Sequence, residues 1–116
     1  MKKLILNILK ENEDKLFDRD YQLIKNYFKR KFDSGSWEYE KYKNTLTVYD
    51  ETSLDPDQHI YSYVIFEYDD KDIFATKGLV DLLKEITGEP WSYNKWFIVK
   101  FIQEEFNLEV DSIQIT

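Results

Sequence analysis

At 116 residues, with three tryptophans, nine tyrosines and eight phenylalanines, the chain has the length of one domain (1–116) and the aromatic supply for a core that needs no staples. It contains no cysteine, which removes disulfide frameworks and thiolate metal sites from consideration. The formal net charge of −7 is uneven, with three surplus positive charges in residues 1–33 and ten surplus negative charges in 34–116, so most of the surface is steered away from nucleic acid and toward basic partners.

The opening Met1-Lys2-Lys3 and the apolar run Leu4 to Leu9 have the outline of a secretory signal. Asn7 interrupts the run, however, and Lys10-Glu11-Asn12-Glu13-Asp14 follow with no small-residue cleavage site. Leu4, Ile5, Ile8, Leu9 and Leu16 recur at helical spacing, which predicts an amphipathic helix over 2–16 of the mature chain. No stretch approaches the roughly 20 apolar residues that cross a bilayer, so a cytoplasmic location is expected. Asp18 or Asp20 can cap a second helix striped by Leu23, Ile24, Tyr27, Phe28 and Phe32. Lys29, Arg30 and Lys31 suit the negative end of its dipole, and Asp33-Ser34-Gly35-Ser36 stops it.

Strand signals come next. Trp37 and Tyr39 alternate with Glu38 and Glu40, then Leu46 and Val48 with Thr45, Thr47 and Tyr49. Lys43-Asn44 between them suggests a hairpin, with one long bent strand as the alternative. The turn-formers of 50–58 predict a surface loop. In 59–68 the alternation places Ile60, Val64 and Phe66 on one face and Tyr61, Tyr63 and Ile65 on the other. Asp69-Asp70-Lys71 reads as a turn into a short strand over 72–75. Thr76 caps a helix striped by Leu79, Leu82, Leu83 and Ile86 and closed by Gly88. After Glu89-Pro90-Trp91, Ser92 is placed to cap a largely buried helix over 93–106. Asn107 suits a left-handed position, and 108–115 alternates as a last strand. The order is α-α-β-β-β-β-α-α-β, which predicts an α+β fold whose four- to five-stranded, mostly antiparallel sheet is covered by helices.

Catalytic patterns are sparse. His59, the only histidine, has no Gly-x-Ser-x-Gly partner and reads as an ordinary side chain beside Asp57. No two glycines stand close enough for a phosphate-cradling loop. Asp55-x-Asp57-x-His59 begins like a calcium loop, but Ile60 and Phe66 stand where Gly and Glu are needed. Pro56-Asp57 with Asp69-Asp70-Lys71 resembles the carboxylate–carboxylate–lysine set of metal-dependent nucleases. This gives an alternative reading, a hydrolase using Asp57, Asp69 and Lys71. Against it, the second half falls in a turn, and the surrounding acidity would repel a phosphate backbone. The helix at 93–106 is too apolar for a DNA-recognition helix, and Lys25, Lys29, Arg30 and Lys31 read as a helix end satisfying its dipole.

Surface recognition remains. Residues 50–72 hold Asp50, Glu51, Asp55, Asp57, Glu67, Asp69, Asp70 and Asp72 against Lys71 alone. Tyrosines supply contact area at low entropic cost, and carboxylates steer association with a basic groove. The expectation is therefore a non-enzymatic protein-binding module without cofactor or metal. Its partner would be a protein with a basic, nucleic-acid-binding surface, with no direct contact to nucleic acid or membrane. The expected contacts are those eight carboxylates with Tyr61 and Tyr63 as anchors. If helices covered both faces of the sheet, those tyrosines would instead be core. DNA-mimic inhibitors encoded by phages, anti-CRISPR proteins among them, and toxin-neutralising immunity proteins are similar in size and acidity. A third reading is a structural subunit whose last helix and strand pack against a copy of itself.

Overall fold

The computed structural model describes the backbone of residues 2–53 and 60–116 and the side chains of residues 15–51 and 62–116. In chain order the elements are α1 (Lys2–Asp33), β1 (Trp37–Tyr42), β2 (Thr45–Ser53), β3 (Ile60–Asp69), β4 (Asp72–Ala75), α2 (Lys77–Thr87), α3 (Trp91–Glu105) and β5 (Ser112–Ile115). The strands form one sheet in the order β1-β2-β3-β4-β5. The first four make an antiparallel meander, and β5 returns parallel to β4 after the two-helix crossover. The α+β class and the mostly antiparallel sheet are as the sequence predicts.

The two helices expected before the sheet are one. The 32 residues of α1 run without a break for about 48 Å at 1.5 Å per residue. Neither Asp18 nor Asp20 caps anything. Asp20 accepts the Tyr93 hydroxyl at 2.9 Å, and Asp18 lies 3.6 Å from the Lys100 ammonium. An aspartate inside a helix costs only a fraction of a kcal/mol, and with no Gly or Pro between 2 and 33 nothing stops propagation.

The cover of the sheet is one-sided. Successive strand residues point to opposite faces, and directly paired residues share one. Pairing therefore places Leu46, Tyr68, Ile73 and Ile113 in one row and Val48, Phe66, Ala75 and Ile115 in the next. Most of these are fully buried and join Trp37 in the core under the helices. From α1, Tyr21, Ile24 and Phe28 enter that core; Leu79 and Leu83 come from α2, and Phe97, Ile98, Phe101 and Ile102 from α3. The rings interlock, Phe28 lying 5.0 Å from Trp37 and 5.1 Å from Phe101, centroid to centroid.

A β-bulge changes the strand alternation. The register slips between Val48 and Tyr49, so Val48 faces Phe66 while Tyr49 faces Val64, leaving Ile65 as the extra residue. The expected grouping of Ile60, Val64 and Phe66 on one face is thereby overturned: Phe66 is buried, whereas Val64 points the other way and is exposed. The bulge has a use. The Ile65 carbonyl accepts both the Thr76 N–H (3.2 Å) and the Thr76 hydroxyl (2.8 Å), and that hydroxyl oxygen in turn accepts the Leu79 N–H that begins α2.

Remaining differences lie at element ends. β2 continues to Ser53, into the expected loop. α3 starts at Trp91 with Pro90 before it, ahead of the Ser92 cap expected. β5 is only Ser112–Ile115, because Leu108 and Val110 pack on the core outside the ladder and the Glu109 carbonyl accepts the Tyr68 hydroxyl at 2.7 Å. Gly88 (φ 74°) and Asn107 (φ 52°) hold left-handed positions as expected.

Candidate protein-docking face

With all three helices stacked over one side, the other side of the sheet is left open by the described residues. The register gives its composition row by row. Glu38 stands beside Tyr49 and Val64; Glu40 beside Thr47, Glu67, Phe74 and Gln114; Tyr42 beside Thr45, Asp69, Asp72 and Ser112; and Glu51 beside Ser62. A direct contact confirms the last-but-one row, the Ser112 hydroxyl donating to an Asp72 carboxylate oxygen at 2.7 Å. Six carboxylates (Glu38, Glu40, Glu51, Glu67, Asp69 and Asp72) therefore share this face, and among the described residues no lysine or arginine occupies an outward strand position. Lys43 stays at the rim, its ammonium 5.3 Å from the centre of the Tyr42 ring.

Tyr49 is the electrostatic reporter of the face. Partial desolvation raises its phenol above the ordinary value, and the carboxylates of Glu40, Glu38 and Glu51 push the same way. It lines a shallow depression of about 420 Å³ with Glu40, Thr47, Glu51, Ser62 and Val64. The aromatic and aliphatic members, Tyr42, Tyr49, Phe74 and Val64, are distributed among the carboxylates rather than gathered at one end.

Of the carboxylates singled out by sequence, Glu51, Glu67, Asp69 and Asp72 come together here. Asp70 is close by in the β3–β4 turn, where it and Lys71 both take positive φ (43° and 76°) and its N–H donates to the Asn44 carbonyl. Asp50 and Tyr63 pair with each other on the helix-bearing side, in the row that begins at Trp37. Tyr63 is 52 % exposed, but as a correction to the expected tyrosine face it is not on the open side: the bulge at Ile65 inverts it. Asp55 and Asp57 lie outside the described residues, as does the side chain of Tyr61. Glu38, Glu40, Tyr42, Tyr49 and Phe74 were not among the expected contacts. The two-residue hairpin at Lys43-Asn44 was the signal for the first four, since it pairs Tyr42 with Thr45 and thereby fixes which residues share a face.

For the alternative hydrolase set, the Lys71 ammonium lies 3.4 Å from Glu109, and that carboxylate together with Asp111 raises its pKa. Asp57 lies outside the described residues. Among the described residues no three His, Asp or Glu side chains stand together as metal ligands. The basic end of α1 is engaged within the fold: Lys25 and Lys29 reach Glu105 at 3.2 and 3.6 Å, and Arg30 and Lys31 lie over the Tyr27 ring. Among the described residues no helix is long and apolar enough to cross a membrane. Comparison of the chain with protein-family models, with curated proteins and with solved structures returns no match.

Proposed function

We propose that the protein is a binding module that sets the open face of its sheet against a basic, nucleic-acid-binding surface of a partner protein, as an inhibitor or immunity-type protein does. The observation that carries this reading is the segregation of charge: among the described residues, six outward carboxylates with no outward cation, on a face that also presents Tyr42, Tyr49, Phe74 and Val64. Such a face focuses negative potential and speeds encounter with a basic groove. Its aromatic groups provide the desolvated contacts that hold the complex.

Spacing indicates how the work is divided. Carboxylates two residues apart on a strand, such as Glu38 and Glu40, are about 6.6–6.8 Å apart, whereas a duplex strand carries one charge per roughly 3.4 Å of axis. The face is therefore a diluted copy of a phosphate backbone, and affinity leans on the rings between the charges.

The test uses capture from a native lysate on the immobilised full chain. Proteins retained through this face should be basic, displaced by added duplex DNA, and lost from a Glu40→Lys, Glu67→Lys, Asp69→Lys variant. Glu85→Lys on the exposed side of α2 should retain them. Retention unchanged by the triple reversal would overturn the proposal.

A further inference from the structure

Among the described residues the sheet has two free edges, and they are built differently. At the β1 edge the sequence Trp37–Tyr42 (WEYEKY) interleaves Glu38, Glu40 and Lys41, charges of the kind that keep exposed edges from pairing. β5 has none: Ser112–Ile115 reads SIQI, with Thr116 after it. Parallel pairing with β4 uses the even-numbered residues, Ser112 N–H donating to the Lys71 carbonyl and Thr116 N–H to that of Ala75. The N–H and C=O groups of Ile113 and Ile115 therefore point away from the sheet, and among the described residues no strand lies beyond β5. Beside this edge α3 leaves a groove of about 300 Å³ between Trp96, Val99, Val110 and Ile113. Trp96 (52 %) and Ile115 (49 %) are among the most exposed large apolar side chains of the described residues.

We infer that β5 pairs with β5 of a second copy of this chain, antiparallel about a two-fold axis through Gln114, joining the two sheets into one of ten strands. The occupant is read from self-complementarity. Ile113 of one copy then forms the hydrogen-bonded pair with Ile115 of the other, and the two Gln114 residues form the close non-hydrogen-bonded pair between them. On the helix-bearing side the four isoleucines form one apolar row flanked by both Trp96 and Val99 side chains. On the open side the two Gln114 amides can bond to each other. No charged residue meets a like charge across this pair, and the Asp111 residues fall at opposite ends. Self-pairing of β1 about its centre would instead set Glu38 against Glu40 or Glu40 against itself. A specific interface needs about 1,000 Å², more than a four-residue strand pair supplies, and Trp96, Val99, Ile113 and Ile115 of both copies are the apolar surface available for the rest. The inference is independent of what binds the acidic face.

Light scattering after size exclusion tests it on the full chain, loaded at about 100 μM, where a contact of micromolar Kd is formed. The expected mass is twice the 14.1 kDa of the chain. Gln114→Lys places two ammonium groups in the close pair at the axis, and its exposed side chain has no part in the core. Ile115→Pro removes an outward N–H without removing a bond to β4. Both variants should elute at the single-chain mass with the wild-type near-ultraviolet circular dichroism. A wild-type chain of single mass overturns the inference, and so does a folded Gln114→Lys variant that keeps the doubled mass.

Discussion

Tyr21 and Tyr93 cross the seam between α1 and α3 in opposite directions. The first sends its hydroxyl from α1 to Glu104 (3.0 Å), and the second sends its own from α3 to Asp20 (2.9 Å). Lys100 completes the seam, its ammonium 4.7 Å from the centre of the Tyr21 ring and 3.6 Å from Asp18. Burial and then the carboxylate partner raise both phenols, Tyr93 from 10.0 to about 12 and Tyr21 further. A group whose folded pKa is raised contributes stability that is complete below its unfolded value and is lost as pH climbs toward the folded one. Urea midpoints should therefore stay level, as far as these groups are concerned, up to about pH 9.5 and fall between 10 and 12 as the unfolded chain loses its phenolic protons first. Tyr93→Phe should show a shallower fall over that window. A midpoint that rises through it would contradict the hydrogen-bond assignment. Asn94, the one fully buried polar side chain among the described residues, ties α2 to α3: its Nδ2 donates to the Glu89 carbonyl (2.7 Å) and its Oδ1 accepts the Thr87 hydroxyl (2.8 Å). Asn94→Ala should lower unfolding free energy by about 1–3 kcal/mol, the usual cost of unpairing buried polar groups.

The junction from β3 through β4 to α2 shows how one irregularity organises several elements. The bulge at Ile65 frees a carbonyl, and Thr76 uses its single hydroxyl to bind that carbonyl and to cap the helix. Thr76→Val keeps the shape and removes both bonds, so a loss of about 1–2 kcal/mol is expected in urea denaturation. If the change is neutral, the bulge does not anchor α2. The bulge also marks where sequence reasoning stops. The Lys43-Asn44 and Asp70-Lys71 turns, the Thr76 cap and the Gly88 stop were all readable, because each rests on residues within four positions of one another. The face of Val64 and Tyr63 was not. Alternation is a local rule, and only the pairing of β3 with β2, some 15 residues away in sequence, decides where an extra residue is inserted. The fusion of two expected helices into α1 has the same origin, since the partners of Asp18 and Asp20 lie on α3. The site was half readable for this reason: local acidity picked out Glu51, Glu67, Asp69 and Asp72, while Glu38 and Glu40 joined them only through sheet register.

At the scale of the whole molecule, the open face concentrates like charge. Asp69 and Asp72 are directly opposed across β3 and β4, an arrangement that destabilises an antiparallel pair. Glu40 and Glu67 share the row through Thr47, with no outward strand cation among the described residues to offset them. Replacing such carboxylates with neutral isosteres should then help folding. Glu40→Gln with Glu67→Gln, and separately Asp69→Asn, are each expected to raise unfolding free energy by a few tenths of a kcal/mol at low ionic strength. The gain should shrink as salt rises toward 1 M, where the Debye length falls to about 3 Å. The same substitutions should weaken capture of a basic partner, chiefly by slowing association. Opposite signs in the two measurements would identify a surface shaped for recognition at the expense of stability. A loss of stability in the neutral variants would instead mean that these carboxylates hold the sheet together, and the charge segregation would then need no partner to explain it.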